Sequence, residues 1–208
     1  MQPKLRAVAI VIIPLLAISV YISHHPTGVR AAGETRFAGP TSSQTLALNA
    51  DGSILASVNP DNNSISLFDT RPGTNQRFAV VPVGVEPNSV ALNLDGTRAY
   101  VANTVSGTVS VVRIDRANQD YSIVATIPVG TEPYGLALTP AATKLYVANA
   151  RSNNVSVIDT STLRVIKTIE NVGFEPRGIA ITNAGSGADT VETVYVTQFW
   201  RCRARLGR

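Results

Sequence analysis

VEPNSVALNLDGTRAYVANTVSGTVSVVRID, from Val85 to Asp115, returns as TEPYGLALTPAATKLYVANARSNNVSVIDTS, from Thr131 to Ser161. A third copy, FEPRGIAITNAGSGADTVETVYVTQ, runs from Phe174 to Gln198. A weaker one, TLALNADGSILASVNPDNNSISLFDT, precedes them from Thr45 to Thr70. Pro87, Pro133 and Pro176 are spaced 46 and 43 residues apart, and Tyr100 and Tyr146 are 46 apart. Four copies at nearly one period identify a repeat architecture before any single residue is interpreted.

Within each copy the pattern is that of strands. Ser89 to Asn93, Arg98 to Ala102 and Thr108 to Val112 alternate apolar with small or polar residues. They are rich in Val, Tyr and Thr, which suit a pleated and half-buried surface. Asp51-Gly52 and Asp95-Gly96 stand between consecutive strands, where Asp-Gly predicts a tight hairpin. Ser122 to Val129 and Arg164 to Ile169 supply a fourth strand. No segment after the N-terminal region sustains a helical period. Four short antiparallel strands per 43–46 residues make one blade of a β-propeller. The expected fold is therefore all-β, a partial ring of about three and a half four-stranded blades. A leading strand is expected at Gly33 to Pro40. The blades fall at about 41–82, 83–128 and 129–171, with a half blade at 172–200.

Tyr100-Val101-Ala102-Asn103 and Tyr146-Val147-Ala148-Asn149 resemble the core of the YVTN β-propeller repeat family. The Val-Gly-x-Glu-Pro lead-ins at Val83 and Val129 and the strand Val155 to Asp159 match it too, and Val172-Gly173 begins a third lead-in. The first blade departs, with Ala56-Ser57-Val58-Asn59. The last departs with Tyr195-Val196-Thr197-Gln198, after an insertion from Asn183 to Glu192. The resemblance implies an exported or surface-associated prokaryotic protein whose relatives close rings of about seven blades. It also implies lactonase-like and surface-layer relatives.

The N-terminus reads as an export signal. Lys4 and Arg6 precede a nearly continuous apolar run from Ala7 to Ser23, and Val29-Arg30-Ala31 offers a cleavage site after Ala31. Residues 1–31 are thus expected to be a signal peptide, with an uncleaved anchor as the alternative. In that alternative this segment would be the chain's only membrane contact. The expected location is extracytoplasmic: secreted, periplasmic or cell-surface.

The formal charge of +4 is misleading. Three basic residues lie in the N-terminal segment and four, Arg201, Arg203, Arg205 and Arg208, in the last eight. Between Ala32 and Trp200, 11 Lys and Arg face 14 Asp and Glu, a net of −3. A mildly acidic body excludes a nucleic-acid footprint. The basic residues 201–208 fit no strand position and read as a truncation or frameshift product. Unclosed blade edges would invite association. Cys202 is the sole cysteine, so no intrachain disulfide forms.

Both histidines, His24 and His25, precede the expected cleavage site. That removes histidine acid–base chemistry, a Ser-His-Asp triad and histidine ligation of a metal. No Cys-x-x-Cys-His haem motif is present either. No catalytic residue is assigned and no cofactor is indicated. The best candidate site is the repeated carboxylate: Glu86, Glu132 and Glu175 each precede a blade's proline. In a ring they would circle one mouth of the channel, where oxygen ligands suit Ca²⁺ or a cationic ligand. The alternative is that Glu merely suits an exposed loop.

The remaining repeat positions read as structural. Asn103 and Asn149 are expected to bond turn backbone. Tyr100, Tyr146 and Tyr195 are expected to pack in the core or between blades. Asp69, Asp115 and Asp159 are expected to set the turn after the third strand. Gly84, Gly130 and Gly173 recur at the blade crossover, where only Gly tolerates some backbone angles. Pro87, Pro133 and Pro176 complete the lead-in. Asn62-Asn63-Ser64 and Asn154-Val155-Ser156 fit the glycosylation pattern and read as incidental.

Three functions follow as expectations. The first is a non-enzymatic binding or cell-surface module for a protein or small-molecule ligand. The second is a lactonase-like hydrolase using channel carboxylates with a metal. The third is a surface-layer component.

Overall fold

A computed structural model describes residues 45–182, 189 and 192–199. The expected signal peptide, the leading strand at Gly33 to Pro40, both histidines, Cys202 and the basic tail lie outside the described residues.

The described chain is all-β apart from one 3-10 turn at Pro60–Asn62. The first sheet contains β1 (Leu46–Leu48), β2 (Ile54–Asn59), β3 (Ser64–Asp69) and β4 (Gln76–Pro82). The second contains β5 (Pro87–Leu92), β6 (Arg98–Asn103), β7 (Thr108–Arg113) and β8 (Ile123–Pro128). The third contains β9 (Pro133–Leu138), β10 (Lys144–Asn149), β11 (Asn154–Asp159) and β12 (Arg164–Ile169). The last pairs β13 (Pro176–Thr182) with β14 (Thr193–Gln198). Every pairing is antiparallel between sequence neighbours, so each sheet is a simple meander. Pro87, Pro133 and Pro176 open their strands, a sheet position that needs no N–H.

Side-chain alternation assigns each face of a blade to a different neighbour. On the second sheet, Val90, Leu92, Ala99, Val101 and Val112 pack against Ile54, Ala56, Val58, Ile65 and Leu67 of the first. The opposite face carries Tyr100, Val109 and Val111 against Leu145, Val147 and Ile158 of the third. Tyr146, Val155 and Val157 then meet Ile179, Ile181, Val194 and Val196 of the last. A one-residue slip in β6 would turn Tyr100 from one neighbour to the other, which pins the register. Tyr100 is 2% exposed and Tyr146 7%. Burying each phenol contributes on the order of 3 kcal/mol. Tyr195 holds the same position in β14 and is 59% exposed, because among the described residues no sheet packs on that face. The outermost strand β12 is exposed along most of its length.

Three local expectations need correction. The Asp-Gly pairs do not form two-residue hairpins. They close four-residue loops, in which Asn49 and Asn93 accept hydrogen bonds through Oδ1 from the amides of Ile54 (2.9 Å) and Arg98 (2.8 Å). The Asp carboxylate then accepts from the amide of Ser53 or Thr97, and Gly52 and Gly96 take φ of 70° and 71°. The asparagine that opens the loop makes it longer than Asp-Gly alone predicts.

The crossover glycines are also needed for a different reason. Only Gly173 has a left-handed φ, 118°. Gly84 and Gly130 are held by contact: a Cβ on either would meet the side chain of Asn103 at 2.6 Å or of Asn149 at 2.7 Å. Those amides do not bond turn backbone. Asn103 Nδ2 donates to Thr108 Oγ1 (3.1 Å) and Ser110 Oγ (2.9 Å). Asn149 Nδ2 donates to Asn154 Oδ1 (2.8 Å) and Ser156 Oγ (2.9 Å). The amide thus ties the second strand to the third, and the glycine makes room for it.

Candidate functional site

The lead-in loops carry the three glutamates. Glu86, Glu132 and Glu175 have φ of 56°, 53° and 45°, left-handed backbone that costs a residue with a Cβ roughly 1 kcal/mol. Their peptide groups join elements around the crossover. The Glu86 amide donates to Asn63 Oδ1 of the preceding sheet (2.8 Å), and its carbonyl accepts from the Thr104 amide (2.9 Å). The Glu175 amide donates to Asn153 Oδ1 (2.9 Å). The Glu132 carbonyl accepts from the Ala150 amide (2.8 Å). Among the described residues no group of three or more His, Cys, Asp or Glu could hold a metal ion. Among the described residues, Glu175 Oε2 lies 3.7 Å from Arg177 Nη2.

One residue past each lead-in proline the chain differs: Asn88, Tyr134 and Arg177. These residues, with Ser89, Gly135 and Gly178, line a cleft of about 400 Å³ between the inner strands. Gly135 is required there, since a Cβ would lie 2.1 Å from the Arg177 carbonyl oxygen. The Arg177 guanidinium sits 4.8 Å from the Tyr134 ring centroid and 4.7 Å from that of Phe199, held by cation–π attraction. Among the described residues its Nε is buried without a partner, as is Ser89 Oγ. A buried polar atom without a partner costs about 1–3 kcal/mol, which a ligand can recover. The cleft presents an amide, a phenol and a guanidinium to one small molecule.

The repeated Glu is the position that repetition singles out; the cleft is lined instead by the variable residue two positions on. The signal was available: Asn, Tyr and Arg succeed one another in one column while the Glu and Pro just before it stay fixed. A shared fold requires the constant positions and leaves the varying one to differ from blade to blade.

The opposite end of the sheets, at the hairpin loops, carries a second polar cluster. Asp189 accepts from Thr139 Oγ1 (2.5 Å), Thr143 Oγ1 (2.5 Å) and the amides of Ala141 (3.0 Å) and Thr143 (3.2 Å). Burial would raise its pKa, but these hydrogen bonds outweigh that and hold it at about 2. Glu192 accepts from Lys144 Nζ (2.6 Å) and the Tyr146 hydroxyl (2.8 Å). Burial, reinforced by that carboxylate, pushes Tyr146 up to about 12. Asp69, Asp115 and Asp159 cap the turns after the third strand, and Asp159 accepts from the amides of Ser161 and Thr162. Arg71 and Arg116 beside Asp69 hold its carboxyl well below the usual carboxylate range.

Residues 84–172 match the family model described as Lactonase, 7-bladed beta-propeller. Hydrazine synthase of Kuenenia stuttgartiensis superimposes with a TM-score of 0.60 at 28% identity, covering 77% of this chain and 47% of that one. A Bacteroides fragilis protein assigned as a 6-phosphogluconolactonase gives 0.58 at 20% identity, over 65% of this chain and 40% of that one. A protein of unknown function from Desulfotomaculum acetoxidans gives 0.56 at 20% identity, over 77% and 47%. No curated protein matches the chain in sequence. The chain spans less than half the length of these solved structures. Successive four-stranded antiparallel sheets, packed face to face and matched by a propeller family model, make this chain part of a β-propeller.

Proposed function

We propose that the chain is part of an exported β-propeller that serves as a ligand-binding or cell-surface module. Its ligand, a small molecule or an inserted side chain of a partner protein, is received between the inner strands. The observation that carries this reading is the cleft of Asn88, Tyr134 and Arg177. Three successive repeats place different polar groups at one equivalent position, beside buried polar atoms that lack partners. A volume of about 400 Å³ lies within the range of small-ligand sites. Export rests on Lys4, Arg6, the apolar run from Ala7 to Ser23 and Ala31.

A ligand-observed NMR screen of polar small molecules tests the cleft. Hits that vanish in both Arg177→Ala and Tyr134→Ala support the reading; hits that survive both refute it. Cell fractionation tests the location, and recovery in the cytoplasm would refute export. It also separates a surface-layer component from a soluble periplasmic protein.

The match of residues 84–172 to a lactonase family model favours a second reading, hydrolysis of a lactone. Turnover of a sugar lactone, abolished by a chelator, would favour hydrolysis. Ligand binding without turnover would favour the binding module.

A further inference from the structure

The blades are quasi-equivalent, so a contact made at one junction shows what its counterpart at the next junction can hold. At the junction of the third and last sheets, Lys144 Nζ and the Tyr146 hydroxyl grip the carboxylate of Glu192. Glu192 stands one residue before β14. At the junction of the second and third sheets the gripping pair is repeated as Arg98 and Tyr100. The residue one position before β10 is Thr143, too short to reach them, and its hydroxyl is turned to Asp189. Beside Arg98 and Tyr100 there is a cleft of about 410 Å³ lined also by Asp95, Ala142 and Thr160, among others.

The charges correspond as well. Beside Lys144, the loop Thr139–Lys144 has Ala141 where the first two loops have Asp51 and Asp95. Asp189 supplies the missing carboxylate, accepting from the amide and hydroxyl of Thr143. In the second sheet Asp95 does the same for Thr97, with distances of 3.0 and 2.7 Å. The filled junction thus has one capping Asp, one cation, one phenol and one further carboxylate. The open junction has the Asp, the cation and the phenol. Arg98 already donates to the Thr160 carbonyl through Nη1 (3.1 Å), which fixes the plane of its fork.

We propose that this cleft binds a small carboxylate ligand, held by Arg98 and Tyr100 as Glu192 is held by Lys144 and Tyr146. A guanidinium can engage both carboxylate oxygens. The site is separate from the inner-strand cleft, lying at the hairpin-loop end of the sheets.

The test is a titration of the full chain with acetate and with succinate, read by amide NMR against chloride at matched ionic strength. The expected result is saturable shifts at Thr97, Arg98, Tyr100 and Ala142 with either carboxylate. R98K keeps them, and R98Q weakens binding roughly tenfold or more. T143E places a carboxylate of the chain itself in the cleft and removes the shifts while the rest of the spectrum stays folded. Shifts that are linear in concentration, equally large with chloride, or unchanged in T143E overturn the proposal.

Discussion

Gly84→Ala isolates a contact that couples a lead-in loop to its own blade. The new Cβ would stand 2.6 Å from Cγ and Nδ2 of Asn103 and 2.8 Å from its Cβ. Carbon atoms in contact prefer about 3.5–4.0 Å, so roughly 1 Å must be found. Asn103 is fully buried and cannot swing into solvent. Retreat breaks its bonds to Thr108 and Ser110, at about 1 kcal/mol each. Overpacking adds about 1–3 kcal/mol. The expected loss is about 3–5 kcal/mol, a large share of the stability of an ordinary domain. Urea unfolding followed by far-UV circular dichroism should show a midpoint lowered by roughly 1.5–2.5 M for a slope near 2 kcal/mol/M. The clash needs the amide, so Gly84→Ala added to Asn103→Ala should cost less than about 0.5 kcal/mol more, a coupling of about 3 kcal/mol. Gly52→Ala is the contrast. Nothing lies within 4 Å of its Cβ, but φ is 70°. It should cost about 1–2 kcal/mol with or without Asn103. A loss below 1 kcal/mol for Gly84→Ala, or simple additivity with Asn103→Ala, would refute the contact as the reason for this glycine.

Other expectations follow from the same loops. Ala142 holds the left-handed position occupied elsewhere by Gly52 and Gly96, with φ of 56°, so Ala142→Gly should raise the urea midpoint by about 0.5–1 kcal/mol equivalent; an unchanged midpoint counts against it. Glu132→Gly should likewise not destabilise, since its backbone bond to Ala150 survives, and a drop of more than about 1 kcal/mol would assign its carboxylate a structural role. Asp189 is held at about 2, below its ordinary 3.8. It therefore stabilises fully above about pH 4 and loses this contribution as pH falls through about 2. Asp189→Asn should flatten the dependence of unfolding midpoint on pH between 4 and 2, and an unaltered slope would contradict that. Tyr146→Phe removes one bond to Glu192 but leaves Lys144 in place, so thermal unfolding should report a loss of about 1–2 kcal/mol.

The fold was legible because the repeat carries both the strand pattern and the loop chemistry that separates strands. Expected boundaries such as Arg98 to Ala102 and Ser122 to Val129 lie within two residues of β6 and β8. The site was less legible, because the eye follows repetition. Glu86, Glu132 and Glu175 repeat, and all three share a left-handed backbone angle and a hydrogen bond made by the peptide group. Asp189 was hidden for a different reason. It lies in an insertion that breaks the repeat, and only the fold carries it back to the loop where Ala141 replaces Asp.

The sequence by itself determined the secondary structure, the blade period and the meander, since alternation, turn residues and repeat length are local properties. Only the tertiary structure decided what each constant residue is for. Tyr100 became a contact between sheets because alternation turns it toward Leu145 and away from Val58. Gly84 became a space for an amide 19 residues away. Asn88, Tyr134 and Arg177 became one cleft because the inner strands of separate blades run side by side. Side-chain distances between repeats depend on how the blades pack, and no period in the sequence encodes them.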